Sequence, residues 1–173
     1  MKVAGIIAEY NPFHKGHQYH IEETRKQTGC DYIIAVISGD FVQRGAPAAS
    51  DKYIRTRTAL LGGADLVLEL PTAFAVRDAE HFALGGVSIL ERLGFVDYLS
   101  FGTEDELSVL KPAAELLEEP DEAFQSRLRS YLAAGLSHAA SQGKTLEERF
   151  PEAKEAFHRP NNILALCYLR ALR

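Results

Sequence analysis

The feature that most constrains this chain is a set of short apolar runs separated by helix-like stretches. Val3–Ala8, Tyr32–Ser38, residues 64–70 and residues 98–101 read as strands, and three of them are continuous apolar runs. Such runs suit strands covered on both faces of a parallel sheet. Between them, residues 16–28, 50–61 and 77–93 carry helical periodicity. Ser50 or Asp51 can cap the second of these helices, Gly62 and Gly63 end it, and Gly94 ends the third. Strictly alternating strands and helices predict an α/β fold, a Rossmann-like doubly wound parallel sheet with right-handed crossovers.

The texture changes after Gly102. Residues 103–122 hold eight acidic residues and one base, Lys111. That run reads as a solvated helix face. Pro112, Pro120, Pro151 and Pro160 are expected to divide this half into short helices, the last over residues 163–172 with Asn161 or Asn162 as its cap. The expected division is a nucleotide-binding core over residues 1–103 and a small helical region over 104–173.

Composition narrows the function. With 173 residues and a net charge of −5, a whole-surface basic coat for nucleic acid is excluded, while a local basic patch is not. No apolar run has the length of a membrane helix, and the first strand is too short for a signal peptide. Cys30 and Cys167 stand far apart with no CxxC, which supports neither a disulfide framework nor a zinc knuckle and fits a reducing cytoplasm.

The strongest local signal is Glu9-Tyr10-Asn11-Pro12-Phe13-His14-Lys15-Gly16-His17, where the first strand ends and the first helix begins. Open α/β sheets bind ligands at the carboxyl ends of their strands, beside helix N-termini whose free amides and dipole favour an anion. His14 and His17, three apart, share one face of the first helical turn. Gly16 between them admits a phosphate or an adenine close to the backbone. Two imidazoles and the amides together suit stabilisation of charge on a phosphate as pyrophosphate is displaced. Lys15 and His20 add to the field, or Lys15 simply points to solvent. The plainer reading is a helix start with ordinary surface histidines. No GxGxxG or Walker A sequence is present, and zinc on His14, His17 and His20 is disfavoured because their spacing drifts around the helix. No metal ligands are assigned.

These residues match a known pattern. HxGH after a first strand is the signature of the nucleotidyltransferase superfamily that includes class I aminoacyl-tRNA synthetases. The blocks GIIAEYNPFHKGH (5–17), SGDFVQRG (38–45), GADLVLELP (63–71), FGTE (101–104) and PNNIL (160–164) together resemble the bacterial tRNA(Met) cytidine acetate ligase family. That resemblance implies an enzyme that uses ATP, accompanied by Mg²⁺, to activate acetate as acetyl-adenylate. The acetyl group then passes to the wobble cytidine of elongator tRNA(Met). Carried over, Ile7, Ala8, Glu9, Tyr10, Asn11, Pro12, Phe13, His14, Lys15, Gly16, His17, Gln18, Tyr19 and His20 form the ATP-binding stretch. His14 and His17 lie on the phosphates, Gly102 lies against the nucleotide, and Asn161 or Asn162 adds a polar contact. Family members extend beyond the PNN helix, with a further ATP-contacting Arg, so the helical region reads as shortened.

Other positions read two ways. Asp40, Gln43 and Arg44 follow the second strand and face the substrate, or Asp40 pairs with Arg44 to steady the loop. Lys52, Arg55 and Arg57 meet tRNA phosphates or form a solvated helix face. Asp65 and Glu69 flank the third strand, where a metal role is the lesser alternative and Asp65 reads as a cap or turn residue; His81 reads as a satisfied packing residue rather than a ligand, while His138 and His158 carry no recognisable partner. A nucleotidyltransferase acting on a small phosphorylated metabolite and a non-catalytic ATP-binding module remain the alternatives.

Overall fold

Val3–Ala8 forms β1, and all but its last residue are buried. In the computed structural model, which describes residues 1–173, it is followed by α1 (Lys15–Thr28), β2 (Tyr32–Ser38), α2 (Lys52–Leu61) and β3 (Leu66–Leu70). The short α3 (Thr72–Ala75), α4 (Ala79–Arg92) and β4 (Tyr98–Ser100) complete the first of two compact units, Met1–Gly102. The strands of the sheet all pair in parallel, in the order β3-β2-β1-β4. The chain moves outward from β1 in one direction and then returns to its other side, so the topological switch point lies between β1 and β4.

Alternation along β1 sends side chains to opposite faces. Ala4 and Ile6 join a cluster with Ile21 of α1, Ala35 and Ile37 of β2 and Ala59 of α2. On the other face α4 packs closely: a Cβ on Gly86 would stand 2.7 Å from Ile7, so glycine is required for helix and strand to approach. Covered on both faces, β1 and most of β2 have no polar side to alternate with, which is why they read as continuous apolar runs.

The expected strand over 64–70 is shorter at its start and less buried than its composition suggests. Asp65 leaves the ladder because its carboxylate accepts from Ile33 N–H at 2.7 Å and from Arg25 at 2.6 Å, closing the turn before β3. As an edge strand with β2 as its only partner, β3 leaves Leu66 exposed. Asp51 caps α2 by accepting from Ile54 N–H. Asp78 caps α4, so that helix starts after residue 77. His81 is half-buried and satisfied by the Asp78 carboxylate at 2.8 Å.

The second unit, Thr103–Arg173, contains α5 (Leu107–Glu118), α6 (Glu122–Ala133), α7 (His138–Arg149), a 3-10 segment (Pro151–His158) and α8 (Pro160–Ala171). Leu110, Ala113 and Ala114 turn one face of α5 inward while Glu115, Glu118 and Glu119 face water. Pro112 lies inside α5 instead of ending it, and the helix forgoes the bond that residue would have given to Ser108. His158 does have a partner, Glu147 at 2.9 Å, whereas His138 is exposed at the start of α7. No helix is long and apolar enough to cross a membrane.

Candidate functional site

The turn between β1 and α1 is built by its own side chains. His14 is the N-cap of α1 in an extended conformation, and its Nδ1 accepts from Gly16 N–H at 3.1 Å. His17 reaches back so that its Nδ1 accepts from His14 N–H at 3.3 Å. The two imidazoles thereby form a reciprocal capping box, a role ordinarily taken by Ser or Thr with Glu. Their rings stack with centroids 3.6 Å apart. Because each Nδ1 accepts, the proton of the neutral ring is on Nε2, which makes each histidine a donor on its far side. Gly16 is needed here for a reason beyond access: a Cβ would stand 3.0 Å from the His14 ring and disturb the stack.

Behind this pair stands an aromatic wall. Tyr10 is buried with φ +48°, and its ring lies 4.8 Å from His17 and 4.9 Å from Phe13. Phe13 packs onto Gly62 at the end of α2, where any side chain would overlap its ring. The Tyr10 hydroxyl is buried without a hydrogen-bond partner, and burial pushes its pKa up. Burial, followed by the neighbouring His14 and His20, pushes His17 down to about 4, so it is a neutral donor at physiological pH. His20 is lowered as well, by burial. It is locked to Ser100 at the end of β4 at 2.9 Å, and Ser100 also meets Thr24 at 2.6 Å. This fastens α1 to β4 across the switch point.

A depressed histidine has a stability signature. Between pH 6.5 and about 4 the unfolded chain binds a proton that folded His17 refuses, so stability rises with pH through that window and falls as pH is lowered. His17→Asn removes the titrating group while retaining an acceptor for His14 N–H. The stability difference between wild type and His17→Asn is expected to shift against the wild type as pH falls from 7 to 4.5, read by urea unfolding at each pH. A difference independent of pH would contradict the shifted His17.

The segment 39–51 is clasped to the same turn. The Glu9 carboxylate accepts from Gln43 N–H at 2.8 Å and Asn11 Oδ1 accepts from Ala49 N–H at 2.6 Å. Asp40 accepts from Lys52 N–H at 3.2 Å rather than pairing with Arg44, which is exposed at φ +69°. Lys52 Nζ is paired with Glu69 at 2.8 Å. Arg55 departs from both readings of its sequence: it is 1% exposed, so it is neither on a solvated face nor on a surface open to tRNA. The missed signal is its spacing of four from Ala59, which places both on the inward face of α2. Arg57 is exposed.

Lys15, Gln18 and Tyr19 lie on the exposed side of α1, with Gln18 bonded to Glu22. Ile7 and Ala8 supply the strand beneath the turn. Gly102 follows β4 in open space: its φ is not in the left-handed region, and a Cβ would meet nothing within 4 Å. In the second unit the asparagines do not cap α8, because Arg159 holds that position and Pro160 starts the helix. The Glu104 carboxylate supplies the missing acceptors, taking Asn162 N–H at 3.0 Å and Asn161 N–H at 3.3 Å. Asn162 is fully buried: its oxygen accepts from Glu104 and Asp105 N–H, and its NH₂ donates to Asp105 and the Ala156 carbonyl. Asn161 is exposed and donates to Glu104 at 2.8 Å.

A parallel sheet with paired imidazoles capping the first helix is the arrangement of a nucleotidyltransferase. A profile of the HIGH Nucleotidyl Transferase family matches residues 1–173, and the chain belongs to that family. Within it, the chain is 48% identical to a tRNA(Met) cytidine acetate ligase of Clostridium kluyveri, over 99% of this chain and 44% of that protein. It is 45% identical to a protein of the same name from Acetivibrio thermocellus, over 100% of this chain and 43% of the relative. Among solved structures, Thermotoga maritima TmcAL bound with alpha-thio ATP superposes with a TM-score of 0.94 at 39% identity, covering 99% of this chain and 43% of that one. The chain thus spans less than half the length of the relatives it matches.

Proposed function

We propose that the chain carries the adenylate-forming core of an ATP-dependent tRNA(Met) cytidine acetate ligase. The observation that carries this reading is the stacked His14–His17 box at the start of α1, combined with the ATP analogue bound by the Thermotoga neighbour. An acetate oxygen attacks the α-phosphorus of ATP, the bond to the bridging oxygen of the β-phosphate breaks, and pyrophosphate leaves with that electron pair. The Nε2–H groups of His14 and His17, with the N-terminal end of the α1 dipole behind them, meet the charge that builds on the phosphate oxygens. The exocyclic amine of the wobble cytidine then attacks the acetyl carbonyl carbon, releasing AMP and leaving N4-acetylcytidine. Mg²⁺ enters with ATP in this reading, held mainly by its phosphates. A tRNA substrate puts this chemistry in the cytoplasm.

Residues 7–20 line the nucleotide in this reading. Of the two asparagines, the Asn162 amide is saturated within its own unit, while Asn161 is exposed. Gln43 and Arg44, on the exposed segment after β2, and the solvent-reaching parts of Asp40 and Lys52 are left for the acceptor side. Radiolabelled acetate transfer to tRNA(Met) transcripts tests the full reaction. Label on elongator tRNA(Met) but not on a transcript lacking the wobble cytidine is expected, and equal label on both overturns the assigned acceptor.

Gly102 gives a second check. Since neither strain nor an internal clash demands glycine there, Gly102→Val is expected to change stability by no more than about 0.5 kcal/mol. A nucleotide lying against that position would lose about tenfold in affinity, equivalent to ~1.4 kcal/mol. Titration of ATP into the variant reads the effect, and wild-type affinity would remove Gly102 from the site.

A further inference from the structure

The side chain that the proposed reaction leaves unused is Arg55. It is a cation buried to 1% exposure on α2, and all of its acceptors are main-chain carbonyls. Nη1 donates to the carbonyls of Glu9 at 2.8 Å and Ser38 at 2.9 Å, Nη2 donates to Gly39, and Nε donates to Ser50 at 3.2 Å. Burying a charge without a carboxylate is costly, and an apolar residue would serve packing more cheaply. The four carbonyls belong to the residue after β1, the last residue of β2, the residue after it, and the residue before the cap of α2. Glu9 also opens the turn that carries His14 and His17, and the Glu9 and Asn11 side chains clasp segment 39–51 from the turn side. The guanidinium holds the same two pieces together from beneath.

We infer that Arg55 is a positioning residue for the phosphate-facing turn. By fixing the Glu9 carbonyl to the end of β2 and the start of α2, it sets the start of the turn, and with it the imidazole donors, before an anion arrives. Preset donors need no reorganisation when charge appears, whereas a small misplacement is expensive. The planar fork suits this task because one rigid group satisfies several carbonyls at once, which a lysine ammonium on a flexible stem does not. The inference rests on the ATP reading of the turn.

Its test is ATP affinity at a temperature where each variant is fully folded, by titration alongside thermal unfolding. Arg55→Lys keeps the charge and loses the fork. Its Kd for ATP is expected to rise about tenfold or more, while Arg57→Gln, on the exposed side of the same helix, keeps the wild-type Kd. A lowered Tm with an unchanged Kd would make Arg55 a scaffold residue only and overturn the inference. Should Arg55→Lys not fold, Arg55→Gln, which keeps a planar donor but loses the reach of the fork, is titrated in its place, and an unchanged Kd there equally overturns the inference. Failure of the wild-type chain to bind ATP would instead overturn the nucleotide reading, and this inference with it.

Discussion

Replacing His17 with alanine is expected to lower adenylate formation by about 10²-fold or more while the sheet stays folded, the usual loss for a preorganised donor to developing charge. Held neutral at physiological pH by burial and by its histidine neighbours, the ring presents Nε2–H as a donor fixed by its Nδ1 bond to the backbone. The same substitution removes the acceptor for His14 N–H, a helix-capping loss of about 1 kcal/mol. His17→Asn separates the two effects, since it keeps a capping acceptor but places no donor at the same position. Its turnover is expected to fall as far as that of the alanine variant with a smaller loss of stability. A normal turnover number in folded His17→Ala would contradict the role assigned to the ring.

The largest stability effect is expected at Arg55. Arg55→Ala leaves the carbonyls of Glu9, Ser38, Gly39 and Ser50 without this donor, those of Ser38 and Gly39 in buried surroundings. A stranded buried acceptor costs ~1–3 kcal/mol. Because these groups are neighbours and their costs are not additive, a total loss of about 4 kcal/mol is expected, at the upper end for a single substitution. Equilibrium urea unfolding measures it, and a change below about 1 kcal/mol, typical of surface sites, would show that the four bonds do not hold the strand ends. Arg57→Ala, exposed on the same helix, is the matched comparison.

How much of this was legible beforehand differs by element. The strands β1 and β2 and the start of α1 were readable because burial on both faces removes polar alternation and because a turn of Asn, Pro and Gly interrupts it. The parallel sheet followed from the alternation of strands and helices. The HxGH turn was legible as chemistry, yet its capping box was not, because histidines rarely take that part and pattern rules do not look for them. Arg55 was hidden by the tendency of charged residues to face water. Only its register with Ala59 hinted otherwise, and a single i, i+4 pair is weak against that prior. Asn162 misled in a different way: asparagine before an apolar helix suggests a cap, but Pro160 had already started the helix and Glu104, distant in sequence, supplied the acceptors. Such long-range side-chain bonds leave no periodic trace in the sequence.

The central claim is that this core activates acetate at the His14–His17 turn. ATP–pyrophosphate exchange by the 173-residue chain, with acetate present, absent and replaced by longer carboxylic acids, tests it most directly. Exchange that requires acetate and declines with acid length is the predicted result. ATP binding without acetate-dependent exchange would contradict it.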